Sequence, residues 1–224
     1  MLSLSVRSLF GNHGFYNVGD WSAGAQSAFD ACRRLVERHL DLLEDLPRRT
    51  LLDIGCGLGE GTAIAAERHP EAALLGINLS LRQLAHADRR PRYAAMDATR
   101  LAIATQSIDG AISVEAALHF RSRRHFLAEL ARILRPGGVV VLSDVYFRSR
   151  NWAGAWSVSA EPFDRDALAR TLHDTGFAID SLEDITAATW QPFADYVERS
   201  GIPALASSLR AAGATYVLTR FRRR

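Results

Sequence analysis

A glycine-rich segment at residues 51–61, LLDIGCGLGEG, combines residue types that could bind a ligand. Glycines alternate with other residues from Gly55 to Gly61, and Glu60 stands just before the last of them. Glycine-rich turns that follow a buried strand commonly bind phosphate groups at the N-terminus of the next helix. The dinucleotide fingerprint G-x-G-x-x-G would require a third glycine where Glu60 stands. Because the Glu60 carboxylate would repel a phosphate, the segment predicts a ligand without phosphate at this turn.

Three further residues that could move or hold a proton follow apolar segments in the second half of the chain. Glu115 and His119 come after residues 108–114, and Asp144 comes after residues 139–143. A histidine within hydrogen-bond reach of a hydroxyl group can accept its proton. His119 is therefore a candidate general base, or else a histidine that caps the next helix or packs in the core. Asp144 could orient His119 or bind substrate, or simply close a turn at the end of a strand.

Short apolar segments alternate with amphipathic helical segments along the chain, as is typical of an α/β fold. Several apolar segments lack polar alternation, which indicates strands that are covered on both faces. The pattern predicts strands at residues 50–54, 73–78, 93–96, 108–114, 139–143, 178–185 and 214–221. It predicts helices at residues 23–44, from the glycine-rich turn to about 68, and at 80–88, 123–134, 164–175 and 192–200. We therefore predict a Rossmann-like, doubly wound, mainly parallel seven-stranded sheet with an N-terminal helical cap.

The composition favours a single soluble globular domain with little net charge. The chain has 224 residues, of which 48% are hydrophobic and 23% charged, and its formal charge is +2. All 27 basic residues are arginine, which excludes mechanisms that need a catalytic lysine. Cys32 and Cys56 form no C-x-x-C pair, so we expect a reducing compartment and no metal site. Neither a signal peptide nor a membrane span is indicated, and the small charge predicts no nucleic-acid partner, so we expect a cytoplasmic protein.

Five motifs, in order, resemble those of the class I S-adenosylmethionine-dependent methyltransferases, in particular their sterol and small-molecule subgroup. S-adenosylmethionine carries no phosphate, which agrees with the position of Glu60. The aromatic segment FYNVGDW at residues 15–21 also resembles the N-terminal segment of the subgroup, and the resemblance extends over about residues 15–145. The five motifs are D-x-G-x-G-x-G at 53–59, GINLS-x-x-Q at 76–83, MDA at 96–98, IDGA at 108–111 and LRPGG at 134–138.

The resemblance implies S-adenosylmethionine as cofactor, S-adenosylhomocysteine as product, and no metal. It implies that Asp53 reaches the ammonium group through water and that amides of the glycine-rich turn bind the carboxylate. Tyr16 and Trp21 would cover the cofactor, since aromatic faces attract cations, unless they belong to a core patch. The resemblance gives the cofactor-binding residues as Tyr16, Trp21, Asp53, Gly55, Cys56, Gly57, Gly59, Asn78, Leu79, Gln83, Asp97, Ala98 and Glu115.

One position departs from the pattern of most class I members. These have an acid at the end of the second strand that binds both ribose hydroxyls, whereas this chain has Asn78. The amide of Asn78 can donate and accept hydrogen bonds without a charge, and Gln83 could share this role. Asp97 would accept from the adenine amino group, or else only cap a turn.

We therefore predict methyl transfer to a small molecule, O-directed because His119 is available as a base, with a secondary metabolite as acceptor. Residues 1–224 would form one methyltransferase domain with a cap at 1–48, a cofactor-binding core at 49–145 and a substrate side at 146–224. A loop at 147–160 with two tryptophans suits an apolar or aromatic substrate, unless these tryptophans pack in the core, and a homodimer could complete the pocket. Two alternatives use the same cofactor motifs: a non-methylating cyclase or rearrangement enzyme, and a binding protein without turnover.

Overall fold

The computed structural model describes residue 9 and residues 13–43, 50–87, 91–148 and 162–224. The strands are β1 (Thr50–Ile54), β2 (Ala73–Asn78), β3 (Arg92–Ala95), β4 (Ile108–Val114), β5 (Leu134–Phe147), β6 (Phe177–Asp184) and β7 (Ala214–Arg223). The α-helices are α1 (Ala28–Asp41), α2 (Glu60–Arg68), α3 (Leu81–Leu84), α4 (Arg123–Ile133), α5 (Arg165–Asp174), α6 (Trp190–Arg199) and α7 (Pro203–Ala211). A short 3-10 turn at Ala117–His119 follows β4.

The seven strands form one mixed sheet in the order β3-β2-β1-β4-β5-β7-β6. The first five strands of this order run parallel, whereas β7 is antiparallel to both β5 and β6. The prediction of a mainly parallel, seven-stranded, doubly wound sheet is therefore confirmed. Strand order reverses between β1 and β4, and this is where ligands bind in open parallel sheets.

Helices cover both faces of the sheet, which explains why its central strands are continuously apolar. Along β5, Val139, Val141 and Val145 pack into one buried cluster with side chains of α1, α2, α6 and α7. Val140 and Leu142 point the other way and pack with side chains of α4 and α5. The two clusters hold the strand ends in fixed positions.

The N-terminal cap is present as α1, which begins at Ala28, five residues later than the predicted start at 23. The Ser27 hydroxyl accepts from the Asp30 amide at 3.1 Å and so fixes the first turn. Gly24, with φ +72, is in the left-handed region just before it. The division of the chain at residues 48 and 145 stays a prediction.

The larger differences from the sequence prediction concern β5, α7 and α3. β5 begins at Leu134 and includes the R-P-G-G residues that were expected to lie in a turn. They form a bulge, because the register with β4 shifts between Ile108 and Gly110. α7 was not predicted. α3 is only four residues long, and Asp88, the predicted end of this helix, lies outside the described residues, as do Trp152 and Trp156. In the described part of the chain, no helix is long and apolar enough to cross a membrane.

Two glycines with the same backbone conformation allow a test of the packing behind the glycine-rich turn. Gly55 and Gly137 both have φ +78, but a Cβ on Gly55 would lie 2.3 Å from Ala116 Cβ, whereas one on Gly137 would meet nothing within 4 Å. Gly137→Ala should cost about 1–2 kcal/mol for the left-handed conformation alone. Gly55→Ala should cost a further ~1–3 kcal/mol because the backbone must also move away from Ala116.

The free energies of unfolding in urea measure the difference between these two variants. Equal losses for Gly55→Ala and Gly137→Ala would show that the contact with Ala116 relaxes at no cost.

Candidate functional site

A cavity of about 270 Å³ opens at the carboxyl ends of the central parallel strands. Its wall includes the turn after β1, the end of β2, the residues after β3 and β4, and the segment that precedes α1. Most of the residues predicted from the sequence lie in this wall, namely Tyr16, Asp53, Gly55, Cys56, Gly57, Asn78, Leu79, Gln83, Asp97, Ala98, Glu115 and His119. Among the described residues, Gly59, Trp21 and Asp144 are not part of it.

The turn between β1 and α2 is held largely by its own backbone. The amides of Gly55 and Cys56 both donate to the Ile77 carbonyl, at 2.8 and 3.0 Å, and the Gly59 amide donates to the Cys56 carbonyl at 2.9 Å. These three amides therefore cannot bind a ligand, contrary to the expectation for the whole turn. Gly57, with φ +60, lies in the cavity wall, and no described residue accepts from its amide.

Asp53 occupies the end of β1, where strands on both sides fix its backbone. The side chain is buried, and its Oδ2 accepts from the Thr62 hydroxyl of α2 at 2.6 Å. Desolvation raises the pKa of Asp53 to about 6 even though this hydrogen bond favours the carboxylate. The sequence reasoning did not select Thr62, because a threonine in an apolar helix gives no signal of a polar partner.

Glu115 connects three parts of the chain at the end of β4. Its Oε2 accepts from the Val18 amide at 2.8 Å and from the Tyr216 hydroxyl of β7 at 3.0 Å. Its own backbone has φ +50, which is uncommon for a residue other than glycine. Desolvation raises the pKa of Glu115 to about 7 against the effect of both hydrogen bonds. Tyr216, fully buried in a predicted strand, was also missed by the sequence reasoning.

Polar side chains at the other end of the cavity are already hydrogen-bonded to neighbours. Asn78 Nδ2 donates to Gln83 Oε1 at 2.7 Å, so the two amides form one unit. Asp97 Oδ1 accepts from the amide and the hydroxyl of Thr99, at 2.8 and 2.7 Å, and these bonds lower the pKa of Asp97. Asp97 thus caps a turn, which was the second of the two roles considered for it. Its other oxygen accepts no hydrogen bond from a described residue.

Tyr16 and Trp21, the two aromatic residues that were predicted to cover the cofactor, lie in different surroundings. Tyr16 lies in the cavity wall and is 37% exposed. Trp21 is buried, its ring lies 5.0 Å from that of Tyr196, and its Nε1 donates to the Val18 carbonyl at 2.8 Å. Trp21 therefore belongs to the core patch that was its alternative, because its only polar group is satisfied by the backbone of the cap.

His119 and Asp144 lie close in the fold but in different surroundings. His119 is exposed at the end of the 3-10 turn, in the cavity wall. Asp144 is buried below this turn, where its Oδ2 accepts from Arg123 Nε at 2.6 Å and its carboxylate also accepts from the Leu118 amide. The Arg123 guanidinium also lies 4.5 Å from the centre of the Tyr146 ring. Asp144 therefore holds the turn that carries His119.

No group of three or more histidine, cysteine or acidic residues suited to a metal ion occurs among the described residues. Four acidic residues and one arginine, Arg121, line the cavity, so its charge suits a small organic ligand with a positively charged group.

Comparisons with known proteins agree on the kind of domain. The family described as "Methyltransferase domain" matches residues 52–142. An O-methyltransferase from Pyrenophora dematioidea is 28% identical over 228 residues, covering 88% of this chain and 84% of the relative. The cyclase SpnF is similar in structure, with a TM-score of 0.77, 23% identity and coverage of 98% of this chain and 91% of SpnF. A geranyl diphosphate methyltransferase in complex with GPP and sinefungin has a TM-score of 0.79, 21% identity and coverage of 95% and 90%.

The burial of the Asp144–Arg123 pair predicts a large effect on stability. The two side chains are 1% and 13% exposed, so Arg123→Leu would leave a buried carboxylate without its countercharge. We expect a loss of about 3–5 kcal/mol in the free energy of unfolding. Arg135 pairs with Asp109 at the same 2.6 Å but is 45% exposed. Arg135→Leu should therefore cost less than about 1 kcal/mol.

Urea unfolding of both variants at pH 7 measures the contrast. Similar losses for the two arginine variants would show that Asp144 is stabilised without Arg123.

Proposed function

We propose that the chain is a class I S-adenosylmethionine-dependent methyltransferase that methylates a hydroxyl group of a small molecule, with His119 as general base. The observation that carries the proposal is that His119 lies in the wall of the same cavity as Asp53 and the turn after β1. The O-methyltransferase relative, which is aligned with most of this chain, supports oxygen as the acceptor atom. Phe15 and Phe120 in the wall support an apolar or aromatic acceptor.

The charges in the cavity wall suit this cofactor. Four carboxyl groups line the cavity, and S-adenosylmethionine carries an ammonium group and a sulfonium but no phosphate. The Gly57 amide, which has no described partner, can bind the carboxylate of the cofactor, and the open space around Gly57 leaves room for it. The four wall carboxyl groups belong to Asp53, Glu60, Asp97 and Glu115.

We assign the remaining contacts by the chemistry of each side chain. Asp53 would bind the ammonium group, and Tyr16 would present its aromatic face to the sulfonium. The Asn78–Gln83 unit can both donate to and accept from the ribose hydroxyls. The second oxygen of Asp97 would accept from the adenine amino group, with Leu79, Ala98 and Cys56 as wall contacts.

Methyl transfer places few demands on protein side chains beyond alignment and proton removal. The bound cofactor supplies a methyl group attached to a sulfonium sulfur. The neutral thioether that remains after transfer of the methyl group is a good leaving group. His119 accepts the proton of the acceptor hydroxyl as its oxygen forms the new bond to carbon. Asp144 acts as a positioning residue, because its bonds to Leu118 and Arg123 fix the turn on which His119 stands.

A second candidate function is a cyclisation with S-adenosylmethionine as a bound but unreacted ligand. The structural similarity to the cyclase SpnF, which extends over 98% of this chain, is the observation that supports this second function. The cofactor contacts would be the same in both cases, so only the fate of the methyl group separates them.

The test is transfer of radioactive label from methyl-labelled S-adenosylmethionine to a panel of phenols and alcohols. His119→Gln should lower kcat by roughly a hundredfold or more, because no base would remain for the hydroxyl proton. His125→Gln is the matched control, since His125 is exposed on the first turn of α4 and lies outside the described cavity wall. It should retain the wild-type rate.

Calorimetric titration with S-adenosylhomocysteine should give the same affinity for both histidine variants. An unchanged kcat in His119→Gln would contradict the role of His119 as base. Conversion of a substrate without incorporation of label would contradict methyl transfer and support the cyclase reaction.

A further inference from the structure

Thr62 is a fully buried residue in the first turn of α2, and the mechanism above gives it no role. Its hydroxyl donates to Asp53 Oδ2 at 2.6 Å. We propose that Thr62 is a positioning residue for cofactor binding, whose hydroxyl keeps the Asp53 carboxylate ionised and oriented toward the ammonium group of S-adenosylmethionine. The inference rests on the role proposed for Asp53 and is independent of the methyl acceptor and of His119.

The hydroxyl of Thr62 is the one favourable partner of the Asp53 carboxylate in the described part of the chain. Desolvation opposes the charge of Asp53, and the hydrogen bond from Thr62 alone opposes desolvation. The strand neighbours of Asp53, Gly76 of β2 and Ile112 of β4, carry no charge. Among the described residues, the charge of Asp53 therefore depends on a single uncharged donor.

Other ionisable groups in the cavity wall do not stabilise the negative charge of Asp53. Glu60 and Glu115, in the same cavity wall, would add negative charge and so oppose ionisation of Asp53. The Cys56 thiol is within hydrogen-bond range of the Thr62 hydroxyl, and desolvation keeps its pKa far above neutral pH, so it stays uncharged. The ammonium group of the cofactor is consequently the countercharge that Asp53 lacks.

The space around the hydroxyl fixes its position. A Cβ added to Gly76 would lie 3.0 Å from Thr62 Oγ1, and one added to Gly61 would lie 3.6 Å from Asp53 Oδ2. The two glycines thus let the backbone lie close to the pair, and a side chain at Gly76 would crowd the hydroxyl. With Oδ2 engaged by Thr62, Oδ1 is the oxygen that remains for the ligand.

The hydrogen bond has a consequence for the pH dependence of cofactor affinity. The pKa of Asp53 is raised to about 6, so the carboxylate is charged at pH 7 and becomes neutral as the pH falls through 6. An ammonium group binds the charged form more strongly, so affinity should fall as the pH is lowered through this range. Loss of the Thr62 hydroxyl raises the pKa of Asp53 further and moves the decline to higher pH.

Calorimetric titration with S-adenosylhomocysteine between pH 5 and 7 tests the inference, because the α-amino group of this ligand is protonated over the whole range. In the wild-type protein the affinity should decline as the pH is lowered through about 6. Thr62→Val keeps the shape of the side chain but removes its hydroxyl. This variant should bind S-adenosylhomocysteine at least about tenfold more weakly at pH 7, and its affinity should begin to decline at a higher pH than in the wild-type protein. Thr62→Ser should restore both the affinity and the profile.

Thr171→Val is the matched control, since the hydroxyl of Thr171 donates only to the Ala167 carbonyl within α5, at 2.8 Å. It should leave cofactor binding unchanged. Thr62→Ala carries the same expectation as Thr62→Val and replaces it if the valine variant does not fold.

Three results would overturn the inference. The first is a Thr62→Val or Thr62→Ala variant with wild-type affinity and profile, and the second is a uniform loss of affinity that Thr62→Ser does not restore. The third is a wild-type affinity that does not change between pH 5 and 7, which needs no variant. Absence of any binding by the wild-type protein at pH 7 would also contradict the cofactor itself, whereas failure of His119→Gln to lose activity would leave this inference intact.

Discussion

Three carboxyl groups that are largely removed from water lie on three neighbouring strands, with Asp53 near the end of β1, Glu115 just after β4 and Asp144 within β5. A desolvated carboxyl group is costly unless donors or positive charges compensate it, and each of the three has a different solution. Asp144 has a guanidinium, Glu115 has a phenol and a backbone amide, and Asp53 has one hydroxyl. Each of these donors joins its own part of the chain to the part that carries the carboxyl group, and these bonds help to arrange the elements around the cavity.

Each donor comes from a different element than the carboxyl group that it compensates, so each compensating bond also fixes an element. Thr62 binds α2 to β1, Arg123 binds α4 to β5, and Tyr216 binds β7 to the end of β4. The bond from Val18 brings the segment before α1 over the cavity. The hydrogen bonds that compensate the buried carboxyl groups therefore also hold together the elements around the cavity. Asp53, which has the fewest donors of the three, is the carboxyl group that we propose binds the ammonium group.

The sequence predicted those features that depend on local patterns. The strands at 50–54, 73–78 and 108–114 were predicted to the residue, because buried parallel strands are short apolar segments between strong turn signals. The glycine spacing and the motifs located twelve of the fifteen predicted site residues in one cavity wall. The partners of these residues were not predictable: Thr62, Tyr216 and the pairing of Arg123 depend on how separate elements pack together, which no periodicity within one element records. Trp21 was misplaced for the same reason, since an aromatic residue next to a site can point toward it or into the core.

The position of β7 between β5 and β6 has a consequence for the order in which the chain can be built. In the described structure β6 pairs with no strand except β7, which follows it in sequence by two helices. During synthesis from the N-terminus, β6 is finished before the strand that joins it to the sheet exists. The Tyr216 hydroxyl that Glu115 requires arrives with the same late strand. A nascent chain thus has the Val18 amide but not the Tyr216 hydroxyl as a donor to Glu115 until the ribosome has released nearly the whole domain.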